Sequence, residues 1–192
     1  MRTSRSTALA ALAAVLLSGA VHAQLVEYEL DPGMTRVHWE LRHFGTSTAR
    51  GRFDQLRGTL AIDRAARTGQ AGITIDTASV STGLAVFDSV IRGSDLLSSK
   101  DAPQAYFVAS QFGFDGDRVA WVQGEFTLRG VSQPLRLQAL RFACRPDSDT
   151  RRERCGGDFE GQFRRSDFGM TLALPFVADT VRLVVQVEAV AR

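Results

Sequence analysis

The stretch VRLVVQVEA, residues 181–189, decides the class of fold. Apolar side chains take every second position in it: Val181, Leu183, Val185 and Val187. A period of two places these side chains on one face of an extended chain, because successive residues of a strand point to opposite sides. The stretch is therefore typical of a β-strand with one apolar face.

The same alternation recurs along most of the chain. It is found near residues 26–30, 37–41, 51–62, 71–80, 105–114, 118–129, 134–143 and 158–170. About eight or nine strands in one series, without repeating strand–helix units, predict an all-β protein. Such strands pair antiparallel and either close into a barrel or fold into a sandwich.

One segment departs from the strand pattern. In GLAVFDSVIRGSDLLSS, residues 83–99, apolar side chains recur at helical spacing: Leu84, Phe87, Val90 and Ile91. This spacing predicts a short amphipathic helix between two strands, which Gly93 ends. Because its apolar face must be buried, we expect the helix to plug one end of a barrel.

The first 23 residues have the features of a secretory signal. Arg2 and Arg5 precede an apolar run from 8 to 17, and Val21 and Ala23 form a small-residue cleavage site. We therefore predict a signal peptide over 1–23 and a single domain over 24–192. The mature chain has no stretch near the ~20 apolar residues that a transmembrane helix needs, so we expect none.

The charge of the mature chain is balanced. Cleavage would remove two of the 23 basic residues and none of the 21 acidic ones, leaving no formal net charge. A neutral chain lacks the broad basic surface of a nucleic-acid or anionic-membrane protein, so we predict no nucleic-acid partner.

The two cysteines, Cys144 and Cys155, flank a polar insertion between two alternating runs. Thiols of exported proteins usually oxidise, so we predict a disulfide between them. A metal pair would need ligands from elsewhere in the chain, and this spacing matches no metal motif.

The sequence contains no motif that indicates a catalytic site. The mature chain has two histidines, His38 and His43, which point to opposite faces of one strand and so do not share a metal. No nucleophile elbow, phosphate loop or zinc motif is present. We predict no catalytic residue and no metal site. For Asp88, Asp95 and Asp167, beside turns, we expect capping roles.

The segment RRSDFGM, residues 164–170, raises the choice between a catalytic loop and a structural corner. No nucleophile or base adjoins it, so we predict a corner at which Gly169 permits a tight bend. We expect Asp167 to pair with an arginine or cap the turn, and Arg164 to point outward. Three side chains should point inward: Arg165, Phe168 and Met170.

Several motifs, in order, resemble those of the YceI-like family of exported lipocalin-like proteins. They are LDP at 30–32, HFG at 43–45, GRF at 51–53, SVSTG at 79–83, GEFTLRGVSQPL at 124–135 and RSDFGM at 165–170. The resemblance covers nearly the whole mature chain. It implies an eight-stranded antiparallel lipocalin-like barrel, extended by the helical segment.

The resemblance also implies a function. The apolar interior would hold a polyisoprenoid, such as a quinone tail or a polyprenyl lipid, which a periplasmic protein sequesters or carries without catalysis or a further cofactor. Two alternatives stay open: a hydrolase or isomerase of an apolar substrate, with His43 as its acid or base, and a ligand-free barrel with a filled interior. The sequence also leaves open whether the chain is a monomer or a homodimer.

We predict the residues that face the ligand from their strand positions. They are Trp39, Leu41, Phe53, Ile73, Ile75, Phe107, Phe126, Leu128, Phe163, Phe168, Met170, Val185 and Val187. Arg92 is a candidate for a polar headgroup, or for an ion pair with Asp88 or Asp95. The chain departs from the family pattern in making the helix and barrel mouth more aliphatic, at Val90, Ile91, Leu96 and Leu97.

Overall fold

A computed structural model describes residues 25–192, so the signal peptide predicted over 1–23 lies outside the described residues. Eleven strands and one α-helix are present in the described part. The strands are β1 (Val26–Leu30), β2 (Arg36–His43), β3 (Ser47–Phe53), β4 (Leu56–Asp63), β5 (Thr68–Asp76), β6 (Val80–Ser81), β7 (Gln104–Asp115), β8 (Arg118–Leu128), β9 (Val131–Pro146), β10 (Glu153–Arg164) and β11 (Thr180–Ala191). The helix α1 spans Ala85–Arg92, and 3₁₀ turns span Thr77–Ser79 and Arg165–Phe168.

Eight of the strands form a closed antiparallel barrel. They follow the order β1-β4-β5-β7-β8-β9-β10-β11, and β11 pairs with β1 to complete the ring. The predicted all-β, eight-stranded barrel with one short helix is thus confirmed. The alternating run 51–62 was read as a single strand, but the chain breaks at Asp54 and Gln55 into β3 and β4, which belong to different parts of the sheet.

The remaining three strands, β2, β3 and β6, widen one half of the barrel. β2 pairs with β11 between Arg182 and Gln186, while β1 takes over the same edge from Ala189. At the changeover, the Thr35 hydroxyl donates to the carbonyl oxygen of Glu188 and accepts from its N–H, at 3.1 and 3.2 Å. The N–H of Asp31 also donates to this carbonyl, at 2.8 Å. These bonds satisfy the backbone of Glu188 on the edge of β11 that faces away from β10, in the gap between β2 and β1.

The two halves of the barrel differ in packing. In the lower half, which contains the β9–β10 turn, large side chains such as Tyr28, Ile62 and Phe159 fill the interior. The upper half is the one that α1 covers, and β2 and β3 enlarge its perimeter. The lower half therefore forms the hydrophobic core, and the upper half has space inside.

The predicted disulfide is present. Cys144 on β9 and Cys155 on β10 are cross-strand neighbours with Cα atoms 4.0 Å apart, and their sulfurs are bonded. The bond joins the long hairpin in the lower half. Among the residues described, no helix has the length and apolar character to cross a membrane.

The RRSDFGM segment is a structural corner, as expected. β10 ends at Arg164, a 3₁₀ turn follows, and Gly169 takes a left-handed conformation with φ of 75°. Arg164 points outward and Arg165 inward. The role expected of Asp167 was wrong, because the carboxylate of Asp179 makes these contacts: it pairs with Arg164 at 2.8 Å and accepts from the N–H and hydroxyl of Ser166.

Candidate ligand-binding cavity

The upper half of the barrel contains a cavity of about 260 Å³. Its walls come from β2, β3, β5, β7, β8, β10 and β11, while α1 and the loop that follows the 3₁₀ corner cover its end. Along β2 the wall runs from Val37 to His43, a length of about 20 Å at the usual rise of a strand. The packed lower half forms the floor.

Eight of the residues predicted to face a ligand line this cavity. They are Trp39, Leu41, Phe53, Ile75, Phe126, Leu128, Phe163 and Met170. Trp39 lies flat across its β3 partner Gly51, where a Cβ atom would come within 2.4 Å of the ring carbon Cζ2. A glycine opposite the indole is therefore needed for the ring to form part of the wall.

The other five predicted residues point into the barrel but do not line the cavity. They are Ile73, Phe107, Phe168, Val185 and Val187. Ile73 and Phe107 are cross-strand neighbours one step below the lining pair Ile75 and Ala105. Four of the five are buried and Ile73 packs against the same core, so they form the floor or back the wall.

Phe168 supports the wall from behind. Its ring packs edge-on against Phe126 and Phe163, with centroids 5.5 and 5.3 Å away, and those two rings lie 5.4 Å apart. Such aromatic triads fix side-chain positions through many contacts. The cluster gives the cavity one rigid side.

Sequence reasoning missed much of the lining. The residues in question are Val37, His43, Phe44, Ala49, Phe87, Val90, Ile91, Leu96, Leu97, Ala105, Arg165, Leu172, Ala173, Val177, Val181 and Leu183. The helical spacing of Phe87, Val90 and Ile91 did predict a helix that plugs the barrel with its apolar face buried, but these residues were not named as contacts of the ligand. The loop residues from 172 to 177 offered no such periodicity.

Only two of the lining residues, His43 and Arg165, have titratable side chains. Arg165 is 3% exposed, and its guanidinium donates to the carbonyls of Met170, Val177 and Ala178 at 2.8 to 2.9 Å. Burial lowers the pKa of this guanidinium, which still remains protonated at neutral pH. Its contacts fix the loop that follows the corner, so its role is to position the cavity's rim.

Arg92 does not form the ion pair predicted for it. Its guanidinium donates to the carbonyl of Ala78 at 3.3 Å, and within the described residues it forms no ion pair with Asp88 or Asp95. Asp88 instead accepts from the N–H and hydroxyl of Thr82, at 2.6 and 2.7 Å. These bonds lower the pKa of Asp88 and tie α1 to the end of β6. The ion pair expected for Arg92 was therefore wrong.

The lining is suited to apolar binding. None of the described residues that line the cavity has a carboxylate, hydroxyl, thiol or amine side chain. His43 therefore has no hydroxyl, thiol or amine nucleophile beside it among the described lining residues, which is what covalent catalysis would require. The arrangement can remove an apolar chain from water.

The comparison with protein families agrees with this architecture. A model of the YceI-like domain matches residues 28–189. The chain belongs to the YceI-like family. A UPF0312 protein of Pectobacterium atrosepticum is 30% identical to this YceI-like chain over 189 residues, covering 97% of each chain. Protein YceI of Escherichia coli O157:H7 is 30% identical over 180 residues, covering 92% of this chain and 93% of that protein.

Solved structures share the fold of this YceI-like chain. BcnA of Burkholderia cenocepacia superposes with a TM-score of 0.68 at 22% identity, covering 83% of this chain and 98% of BcnA. A polyisoprenoid binding domain from Saccharophagus degradans superposes with a TM-score of 0.60 at 19% identity, covering 87% and 99%. At these identities the likeness establishes the barrel and leaves the ligand to other evidence.

Proposed function

We propose that this protein is a periplasmic carrier or store that holds the isoprenoid tail of a lipid, such as a quinone or a polyprenyl lipid, in its upper cavity. The observation that carries the proposal is a cavity with an almost wholly apolar wall inside a closed barrel. The polyisoprenoid binding domain named among the structural relatives supports this ligand class. The signal-like residues 1–23 support export.

The energetics favour a hydrocarbon chain. Each Å² of apolar surface removed from water contributes about 25 cal/mol, so a tail gains affinity in proportion to the length buried. Branched and aromatic side chains such as Ile75, Leu183 and Phe126 offer close contacts to methyl-branched chains. No hydrogen bond is needed from the wall.

The shape of the cavity limits how the ligand enters. The packed floor stops a tail at the level of Val37, so only the length between that level and the mouth is buried. Trp39, His43 and Arg165 are the only described lining residues with polar side-chain groups, so burying a polar headgroup against the rest of this wall would cost free energy. The tail therefore enters first, and the headgroup remains at the mouth.

The first experiment is to purify the exported protein under mild conditions and examine an organic extract by mass spectrometry. We expect an isoprenoid at about one molecule per protein, since a single cavity holds a single tail. A clean extract, repeated after quinones and polyprenyl phosphates have been offered in vitro, would favour a ligand-free barrel and contradict the proposal.

A variant that fills the cavity tests its location. Ala49 on β3 lines the cavity, while its neighbour Thr48 points to the outer face. Ala49→Phe should lower the occupancy of an offered quinone about tenfold or more, because the added ring takes the space of the tail. Thr48→Phe is the matched control and should leave occupancy unchanged. If both variants fold and bind the quinone equally well, the quinone does not bind in this cavity.

A further inference from the structure

Apolar side chains continue from the cavity wall onto the outer surface. Five of them, which we call the mouth rim, are Phe44, Val86, Val90, Leu172 and Phe176. Phe44, Val90 and Leu172 line the cavity and are also 45 to 56% exposed, so the apolar wall continues to solvent at these residues. The mouth rim thus differs from the closed floor at the other end.

The mouth rim is built from separate segments that meet. The N–H of Phe44 donates to the carbonyl of Phe176 at 2.8 Å, and the two rings stack with centroids 6.0 Å apart. Val86 and Val90 are one turn apart on α1 and therefore share a face. Phe176 is 65% and Val86 83% exposed, although neither lines the cavity. The apolar character of Phe176 and Val86 is therefore not explained by burial inside the barrel.

The charges around the mouth rim are uneven, although the mature chain as a whole is neutral. The segments 41–50, 85–92 and 168–178 contain three arginines and one carboxylate, Asp88, but Arg50 is paired with Glu40 at 3.0 Å. Asp88 is buried and hydrogen-bonded to Thr82. Arg42 is exposed and forms no ion pair within the described residues, and the nearest exposed carboxylate along α1 and its loop is Asp95. The mouth therefore combines exposed apolar groups with an exposed arginine, Arg42, that no carboxylate of the described residues neutralises.

We propose that the mouth rim docks onto an anionic lipid bilayer, with its apolar side chains in the interfacial layer, so that a tail passes between bilayer and cavity without crossing water. The inference rests on the proposed function, since an isoprenoid lipid resides in a membrane. Exposed apolar residues flanked by basic side chains are what an anionic lipid surface attracts. A water-soluble ligand would not require the wall to continue outside.

Vesicle flotation tests this docking. The purified protein is mixed with vesicles of phosphatidylglycerol and phosphatidylethanolamine, or of phosphatidylcholine alone, and the floated fraction is measured. The test variant is Val86→Ser with Phe176→Ser, because neither residue lines the cavity. Its matched control is Val108→Ser with Leu140→Ser, since these residues are 59 and 55% exposed on the barrel's outer face.

We expect the wild type and the control to float with anionic vesicles, and the test variant to bind about tenfold more weakly. Arg42→Gln should weaken binding to the anionic vesicles several-fold and leave phosphatidylcholine unaffected. Equal flotation of the test variant and the control would overturn the proposal. So would a wild-type dimer that the test variant abolishes, because the mouth rim would then be a contact between two copies.

Lipid extraction from the same samples distinguishes a failure of the docking proposal from a failure of the proposed binding function. Bound isoprenoid without flotation would refute docking and leave the binding function intact. Flotation without isoprenoid, after quinone has been offered, would support docking and contradict the binding function.

Discussion

At the scale of single residues, Gly169 and Arg165 together set the shape of the cavity's end. Gly169 turns the chain in the left-handed region, and Arg165 then bonds three carbonyls of the loop that returns to β11. An L side chain at position 169 would be strained in this conformation, although there is open space for its Cβ. The backbone conformation, rather than a lack of space, therefore favours glycine at this position.

Gly169→Ala should reduce the free energy of unfolding by about 1 kcal/mol, because alanine disfavours a positive φ. Gly72→Ala is the matched control, since its Cβ also meets open space but its φ is not positive. Thermal melts should show a lower midpoint for Gly169→Ala only. An unchanged midpoint would mean that the corner relaxes to another conformation.

At the scale of elements, α1 is held over the cavity by few polar bonds. The Asp88 carboxylate accepts both bonds from Thr82, and these bonds lower its pKa. A lowered pKa means that the folded state favours the ionised carboxylate. This contribution is complete above the unfolded pKa of about 4 and is lost as the pH falls through the lower folded pKa.

Asp88→Ala should therefore loosen α1 while leaving the barrel folded. Amide exchange should accelerate in residues 85–92, and a bound quinone should dissociate faster, because the helix covers the mouth. In the wild type the same acceleration should appear only at a pH below about 4, as the pH falls through the lowered folded pKa of Asp88. Exchange rates in α1 that match the wild type at neutral pH would contradict this role.

At the scale of the whole molecule, the disulfide and the cavity occupy opposite halves of the barrel. Cys155 pairs across the sheet with Ala189 of β11, whereas the cavity reaches Val181 and Leu183 on the same strand. From Leu183 to Ala189 the strand extends about 20 Å. Stability and ligand binding should thus respond to different changes.

Replacing both cysteines, Cys144→Ser with Cys155→Ser, should lower the free energy of unfolding by about 3 kcal/mol, since the bond closes a short loop. Quinone affinity in the folded protein should be unchanged. Denaturant titration and equilibrium binding measure the two quantities. A weakened affinity at full folding would show that the halves are coupled.

The sequence predicted whether a side chain points to the inside or the outside of the barrel, but not its position along the barrel axis. Val181, Leu183, Val185 and Val187 share one face by their period of two, yet only the first two line the cavity. The position along the axis depends on register and on where α1 and the packed core lie, which are long-range properties. The role expected of Asp167 was wrong for a related reason, because the carboxylate that accepts from Ser166 belongs to Asp179, 13 residues away on the other side of the loop.

The pairing of β11 with strands on both of its edges also affects the order in which the barrel folds. β11 pairs with β10 along its length and with β2 and then β1 on its other side, and all three precede it in the chain. The barrel cannot close, nor the cavity acquire its last wall, until this strand has been synthesised and has found partners far away in sequence. Closure should therefore be a late and slow step of folding, since distant pairings carry a large entropic cost. Until then the apolar interior stays exposed, and the nascent chain depends on protection from aggregation.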